Sequence, residues 1–265
     1  MGRLSSLIST PKVKMGILLL LIVLSALFYY KSLDTLKVVL IAVFSTLLFD
    51  LIFIKIKRVE LFPSAAIVSG LIVGLLTSPT LPWYEVALTA AIAMAAKNFL
   101  RFKNRHIFNP AGLGIFAASV LFGHNVSWWG VSFQTPIFTT FASFFLFAVL
   151  LSPGYVSMIR MRRFRIASSF FLVYIILFGI VQLKQHFLNL SSISSATILD
   201  PTVLFFSLVM LPEPMTTPHN HKRQLFFGGF VAFIAVIISM LHFLPIPDPL
   251  ISALLVGNLL FFNFR

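Results

Sequence analysis

Apolar segments close to the length of a bilayer crossing follow one another along the whole chain, and no polar stretch between them is long enough to make a soluble domain. They lie at about 16–30, 36–54, 62–77, 83–100, 109–123, 137–151, 166–183, 197–211, 224–242 and 250–264. A spanning helix needs about 20 predominantly apolar residues to cross a hydrocarbon core ~30 Å thick. Lipid offers no partner to a backbone N–H or C=O, so segments of this kind must satisfy their backbone internally, as helices do. Only 10% of the 265 residues are charged and 59% are apolar. A soluble domain of that size needs far more charged surface. The sequence therefore predicts an all-α polytopic membrane protein, a single membrane domain over residues 1–265 with about ten segments.

The net charge is +13. A nucleic-acid partner would require a basic patch on a folded polar face, and these cations instead sit in short clusters between apolar runs. Counted by loop, they alternate. One side holds Arg3, Lys12, Lys14, Lys55, Lys57, Arg58, Lys97, Arg101, Lys103, Arg105, Arg160, Arg162, Arg163, Arg165, Lys222, Arg223 and Arg265. The other holds Lys31, Lys37 and Lys184, so 17 of the 20 Lys and Arg face one way. By the positive-inside rule that side is cytoplasmic and both termini lie there. Arg3, Lys12 and Lys14 ahead of 17–30 resemble a signal peptide, but that run ends in Tyr29-Tyr30-Lys31 without a small-residue cleavage site. It is expected to stay as the first helix. Trp83, Trp128 and Trp129 fall at the outer ends of segments, as interfacial anchors do.

The prolines repeat. Pro63, Pro79 and Pro110 recur as Pro201, Pro218 and Pro249, offset by 138, 139 and 139 positions, and Asn109-Pro110 is echoed by Asp248-Pro249. Two halves follow, 16–123 and 137–264. Five segments in each force the second copy to enter the membrane from the opposite face, giving an inverted repeat. Short, proline-bounded segments in matching places point to a site, because their freed backbone groups need polar partners. Proline at the first turn of a helix is the plainer explanation of each one alone.

Candidates for chemistry are few. The chain has no cysteine, so it holds no disulfide, thiolate metal site or cysteine-ligated cluster. His106, His124, His186, His219, His221 and His242 lie in loops or at helix ends, which argues against haem held between facing histidines. No metal site is predicted. Asp50, Lys97, Asp200 and Glu213 sit near segment ends rather than at mid-membrane. Two stretches stand out. Residues 103–112, Lys-Asn-Arg-His-Ile-Phe-Asn-Pro-Ala-Gly, read as a basic loop capped by Asn109 with Pro110 in the first turn. Residues 191–200, Ser-Ser-Ile-Ser-Ser-Ala-Thr-Ile-Leu-Asp, read as an outer loop in which Thr197 caps a helix and Asp200 completes a capping box.

Both stretches also carry a family resemblance. Lys97 with Arg105-His-Ile-Phe-Asn-Pro-Ala111 is similar to the first-half signature of the NqrB/RnfD family, the flavin-bearing membrane subunits of the sodium-pumping quinone reductase and of Rnf complexes. Ser78-Pro-Thr-Leu-Pro-Trp83 resembles that family's preceding proline turn, and Leu211-Pro-Glu-Pro-Met-Thr-Thr-Pro218 its second-half turn. Ser194-Ser195-Ala196-Thr197 is similar to the end of the motif whose threonine carries FMN, although Ser191 replaces its usual Asp and Ser192 and Ser195 its usual Gly. The resemblance implies FMN joined through its phosphate to Thr197 by a separate flavin transferase, with Ser194, Ser195, Ala196 and Asp200 around it. It implies Lys97, Asn109 and Pro110 as cofactor-binding residues of the first half, and leaves room for a second, non-covalent flavin. It further implies other electron-transport subunits as partners, a prokaryotic cell membrane as location, and coupling to Na⁺ or H⁺ movement. The rival expectation is a non-redox conduit for a small neutral solute, which inverted repeats serve equally well.

The charge count makes a direct prediction. Single cysteines introduced at Ser127 and Ser192 should react with an impermeant thiol reagent in intact cells, and one at Asn104 should not; labelling of Asn104 would reverse the orientation.

Overall fold

The computed structural model describes residues 11–57, 64–132, 152, 162–187, 200–241 and 245–264. Helices dominate. α1 (Pro11–Tyr30) and α2 (Leu33–Lys57) are joined by a tight turn at Lys31 (φ 48°). Ser32 starts α2, its Oγ accepting from the Asp34 N–H at 3.2 Å. α3 (Ser64–Leu76), α4 (Trp83–Phe99) and α5 (Pro110–Phe122) complete the first part. Between α4 and α5 the basic loop folds into a short antiparallel hairpin, β1 (Arg101–Phe102) with β2 (Arg105–His106), turning through Lys103 and Asn104 at positive φ. The second part comprises α6 (Phe164–Phe187), α7 (Pro201–Phe205), α8 (His221–Met240) and α9 (Pro249–Phe261). α7 runs on into a π-helical turn, Phe206–Met210, and α9 ends in the 3₁₀ turn Phe262–Phe264. The segment expected at 137–151, and Pro63, lie outside the described residues.

Four described helices are long and apolar enough to cross a membrane: Val13–Tyr30, Leu33–Lys57, Phe164–Val181 and His221–Met240. Their outward faces carry large apolar side chains such as Phe28, Phe44, Leu172 and Phe226, each more than 60% exposed, which only lipid or a partner would cover. α3, α5 and α9 have 13 residues each. At ~1.5 Å per residue they are about 20 Å long, too short for a full crossing. One end of each must lie inside protein, and these ends are where polar side chains collect.

Three helix starts are built alike. Asn109, Asp200 and Asp248 cap α5, α7 and α9, and Pro110, Pro201 and Pro249 follow. The side-chain oxygens accept from Gly112 N at 2.9 Å, Thr202 N at 2.9 Å and Ile251 N at 2.8 Å. Proline costs little there because its missing N–H would have had no partner. The cap of α7 is thus Asp200 itself, and the capping box from Thr197 expected from the sequence is not how this helix begins. The buried end of α3 is closed differently. Its last carbonyls, Gly74, Leu75 and Leu76, accept from Trp129 Nε1 at 2.9 Å, Gly130 N at 3.0 Å and Ser127 N at 3.0 Å. This corrects the reading of Trp128 and Trp129 as lipid-facing anchors. Both are buried, because an indole N–H aimed at an orphan acceptor inside the protein gains more than one at the interface. Trp83, 68% exposed at the start of α4, keeps the anchor position.

α2 packs on α3 and α4, and α4 on α5; α6 packs on α8, and α8 on α9. The chain α2–α4–α5 is thus matched by α6–α8–α9, and α5 meets α9 between them. With no hydrophobic drive between helices in lipid, close approach does the work. A Cβ on Gly114 would stand 2.6 Å from the Thr89 carbonyl oxygen of α4, and one on Gly228 would collide with the Ile166 carbonyl of α6. Gly114→Val and Gly228→Val should each lower the melting temperature of the detergent-purified protein, by the ~1–3 kcal/mol or more of an overpacked contact. Gly179→Ala, where an added Cβ meets nothing, should leave it unchanged or slightly raised.

Candidate functional site

α4 delivers Lys97 in its last turn to a point where α2 presents Asp50, which is fully buried. Lys97 Nζ donates to Asp50 Oδ2 at 2.7 Å, and Asn98 Nδ2 donates to Asp50 Oδ1 at 2.9 Å. Both carboxylate oxygens are therefore used, the condition under which a buried ion pair is tolerated. The hairpin folds back on this pair: His106 Nδ1 lies 3.0 Å from the Lys97 carbonyl oxygen. Four residues further on, at Pro110, α5 begins.

Asn109 makes two side-chain or inter-element contacts besides being a cap. Its backbone N–H donates to Asn258 Oδ1 of α9 at 2.8 Å, and its Nδ2 donates to the Met210 carbonyl at 3.3 Å, at the end of the π-helical turn. Asn258 Nδ2 in turn reaches the Thr216 carbonyl at 3.5 Å. The start of α5 is thereby tied to the end of α9 and to the turn that follows α7. Since Asn258 lies near the end of α9, the start of α9 points the other way, to the opposite end of the molecule.

Around this junction opens a first cavity of about 600 Å³, lined among others by Met15, Val68, Ile72, Lys97, Asn109 and Arg163. Its volume is in the ~300–1,000 Å³ range of small-molecule sites, and its walls are mainly apolar with a few polar groups, as such sites are. Its lining carries the cations Lys97 and Arg163 and the carboxylate of Glu213. Arg163, just ahead of α6, is buried and donates to the Pro218 carbonyl; its other terminal nitrogen lies 3.0 Å from His219 Nδ1. Arg105 donates to the Pro214 carbonyl at 2.9 Å. Burial and the neighbouring Arg105 bring the Arg163 pKa down to about 10, so it remains cationic at neutral pH. Burial, Arg105 and Arg163 hold the His219 pKa below its ordinary value, which favours the neutral ring.

A second cavity of about 360 Å³ lies at the start of α7 and α9, with Trp128, Tyr174, Asp200, Thr202, Ser239 and Asp248 on its walls. Asp248 accepts from Trp128 Nε1 at 2.7 Å, which pins the loop before it onto α9. Its lining holds two carboxylates and no described Lys or Arg.

The model of the NQR2, RnfD, RnfE family matches residues 5–262, nearly the whole chain. The chain belongs to that family. No curated protein matches it. Membership makes this NQR2/RnfD/RnfE-type chain a multi-pass membrane protein and a membrane electron-transport subunit that works with other subunits. Of the residues singled out in the sequence, Lys97, Asn109 and Pro110 come together on the first cavity, and Asp200 stands on the second. Ser194, Ser195, Ala196 and Thr197 lie outside the described residues. Asp50, Arg163, Trp128, Asp248 and Asn258 were not assigned to a site from the sequence. Asp248-Pro249 carried a signal, its match to Asn109-Pro110, whereas Asp50 and Asn258 sit in apolar helices where only folding reveals a partner.

The ion pair predicts its own test. Asp50→Ala leaves Lys97 buried without its counter-charge and should cost about 3–5 kcal/mol, read as a lower melting temperature in detergent. Replacing both, Asp50→Leu with Lys97→Met, should recover most of that loss.

Proposed function

We propose that the chain is a flavin-carrying electron-transfer subunit, with FMN attached through its phosphate to Thr197 and a second, non-covalent flavin in the first cavity. The observation that carries this reading is that Lys97, Asn109 and Pro110, far apart from any catalytic pattern in the sequence, converge on one mainly apolar cavity of about 600 Å³. Flavin, when bound, supplies the one- and two-electron chemistry that helices lack. The chain's own part is to bind and orient. Ile72, Ala111, Val209 and Met215 offer apolar walls to a planar ring, and Lys97, His106 and Asn109 form the polar edge.

Support for the attachment site is one of reach. Thr197 precedes Asp200 by three residues, at most ~11 Å of chain. Asp200 lines the second cavity together with Trp128 and Tyr174, aromatic faces on which a flavin ring can stack. The small side chains of Ser194, Ser195 and Ala196 leave room for a flavin transferase. On this reading the chain has two inverted five-segment halves, 16–123 and 137–264, which the matched packing of α2–α4–α5 and α6–α8–α9 favours. It sits in a prokaryotic cell membrane with both termini cytoplasmic and exchanges electrons with partner subunits, with Na⁺ or H⁺ movement as the work coupled to them.

In cells that also supply the transferase, the denatured protein should keep in-gel flavin fluorescence. Thr197→Asp should lose it while still inserting in the membrane, because α7 is capped by Asp200 rather than by Thr197 and aspartate offers no hydroxyl. Fluorescence that survives Thr197→Asp moves the attachment elsewhere. A purified protein with no flavin absorbance at all overturns the redox reading in favour of a solute conduit.

A further inference from the structure

Arginine donates hydrogen bonds and accepts none. Two histidines face arginines across the starts of α6 and α8, and this rule fixes the state of both rings. A terminal nitrogen of Arg163 lies 3.0 Å from His219 Nδ1. Two residues further on in each segment, one of Arg165 lies 3.0 Å from His221 Nδ1. Each Nδ1 must accept, so each ring must be neutral with its proton on Nε2. A second proton would turn the acceptor into an N–H aimed at a guanidinium N–H, with like charges at hydrogen-bond distance. The contact then breaks.

The two pairs are not equal. Arg165 and His221 are both exposed, so water replaces most of what they lose. Arg163 is only 3% exposed, whereas the His219 ring is open to solvent. Protons therefore reach the histidine whose partner is buried. Charged groups come to His219 from each element around it. Arg163 ahead of α6 and Arg105 of the hairpin both oppose a charge on the ring. Lys97 of α4, His106 and Glu213 stand on the same cavity wall. Lys97 is paired with Asp50, and Glu213 accepts from Thr216 Oγ1 at 3.2 Å. On the His219 side of the chain follow His221, Lys222 and Arg223. Burial, Arg105 and Arg163 hold the proton affinity of His219 below its ordinary value. The contact is therefore intact at neutral pH and is lost as the pH falls below the usual histidine range.

What it holds is the turn between α7 and α8. Arg163 also donates to the Pro218 carbonyl, and Arg105 to the Pro214 carbonyl at 2.9 Å. Gln224 Nε2 donates to the Pro218 and His219 carbonyls at 3.3 and 3.2 Å. The side chains carried on this turn, Glu213, Pro214, Met215 and His219, form one wall of the first cavity.

We propose that this turn is a proton-operated gate: protonation of His219 from water frees it from Arg163 and opens the wall of the first cavity. The gate works in the same way whatever the cavity binds.

The chain has no cysteine, so single introduced cysteines report on the gate. In the full chain purified in detergent, the rate of thiol modification is measured at Met215→Cys, on the gated wall. It is divided by the rate at Asn104→Cys, on the exposed tip of the hairpin, to remove the pH dependence of the reagent. Between about pH 7.5 and pH 5, across the histidine range, the ratio should rise roughly three- to tenfold, the worth of one lost hydrogen bond. His219→Gln keeps an acceptor for Arg163 at every pH and takes up no proton, so with it the ratio should stay low and flat. His106→Gln should leave the rise in place. A ratio that does not move with His219 present overturns the proposal, and that measurement needs no histidine variant to fold. An undiminished rise with His219→Gln, or its loss with His106→Gln, overturns it too by assigning the titration to another group.

Discussion

The hydrogen bond from the Asn109 backbone to Asn258 is the contact on which the centre of this protein depends. α5 is too short to cross the membrane, so its first turn opens inside the protein, where water cannot satisfy it. Asn109 solves this in both directions. Its side-chain oxygen takes the Gly112 N–H within α5, while its own N–H and its amide nitrogen reach α9 and the end of the π-helical turn. One residue therefore closes a helix start and fixes the junction of elements more than a hundred positions apart. The glycine contacts at Gly114 and Gly228 hold the flanking pairs α4–α5 and α6–α8 close enough for that junction to form.

Charge is arranged around the same junction. Asp50 and Lys97 form a closed pair, satisfied within the protein and shielded from solvent, so they shape the first cavity without leaving it charged. Arg163 and Glu213 stand on the wall of the first, and Asp200 and Asp248 make the second cavity negative. Neither is a mid-membrane relay. Each lies at helix ends, where loops can bring polar groups without exposing them to lipid.

Much of this was legible in the sequence because the physics of lipid is restrictive. Apolar length gave the helices, and Asn109-Pro110 and Asp248-Pro249 marked the starts of α5 and α9 to within a residue or two, whereas α7 begins at Pro201, four residues after the start expected at 197. The Lys97 and Asn109 motif pointed to one site, and they do share a cavity. What escaped had a common cause: it depended on which face of a helix turns inward. Asp50 finds no counter-charge in its own helix turn, and only the packing of α2 on α4 gives it Lys97. Trp128 and Trp129 have the composition of membrane anchors, and the three orphan carbonyls at the end of α3 draw that loop inward instead. The hairpin at 101–106 went unseen because its strands are two residues each, too short to show alternation.

The two cap positions, Asn109 and Asp248, explain how matching helix starts come to serve different chemistry. Both side chains accept one N–H in the first turn of the helix that follows, so as caps they are interchangeable. They differ in the second atom. The amide of Asn109 has a donor left over, and it meets an acceptor, the Met210 carbonyl. The carboxylate of Asp248 has an acceptor left over, and it meets a donor, Trp128 Nε1. Exchanging the two residues would set oxygen against oxygen at Met210 and, in one amide orientation, N–H against N–H at Trp128. The cap supplies the shared architecture and its second atom supplies the local polarity. A neutral amide therefore stands on the wall of the first cavity, and a carboxylate in the corresponding place on that of the second.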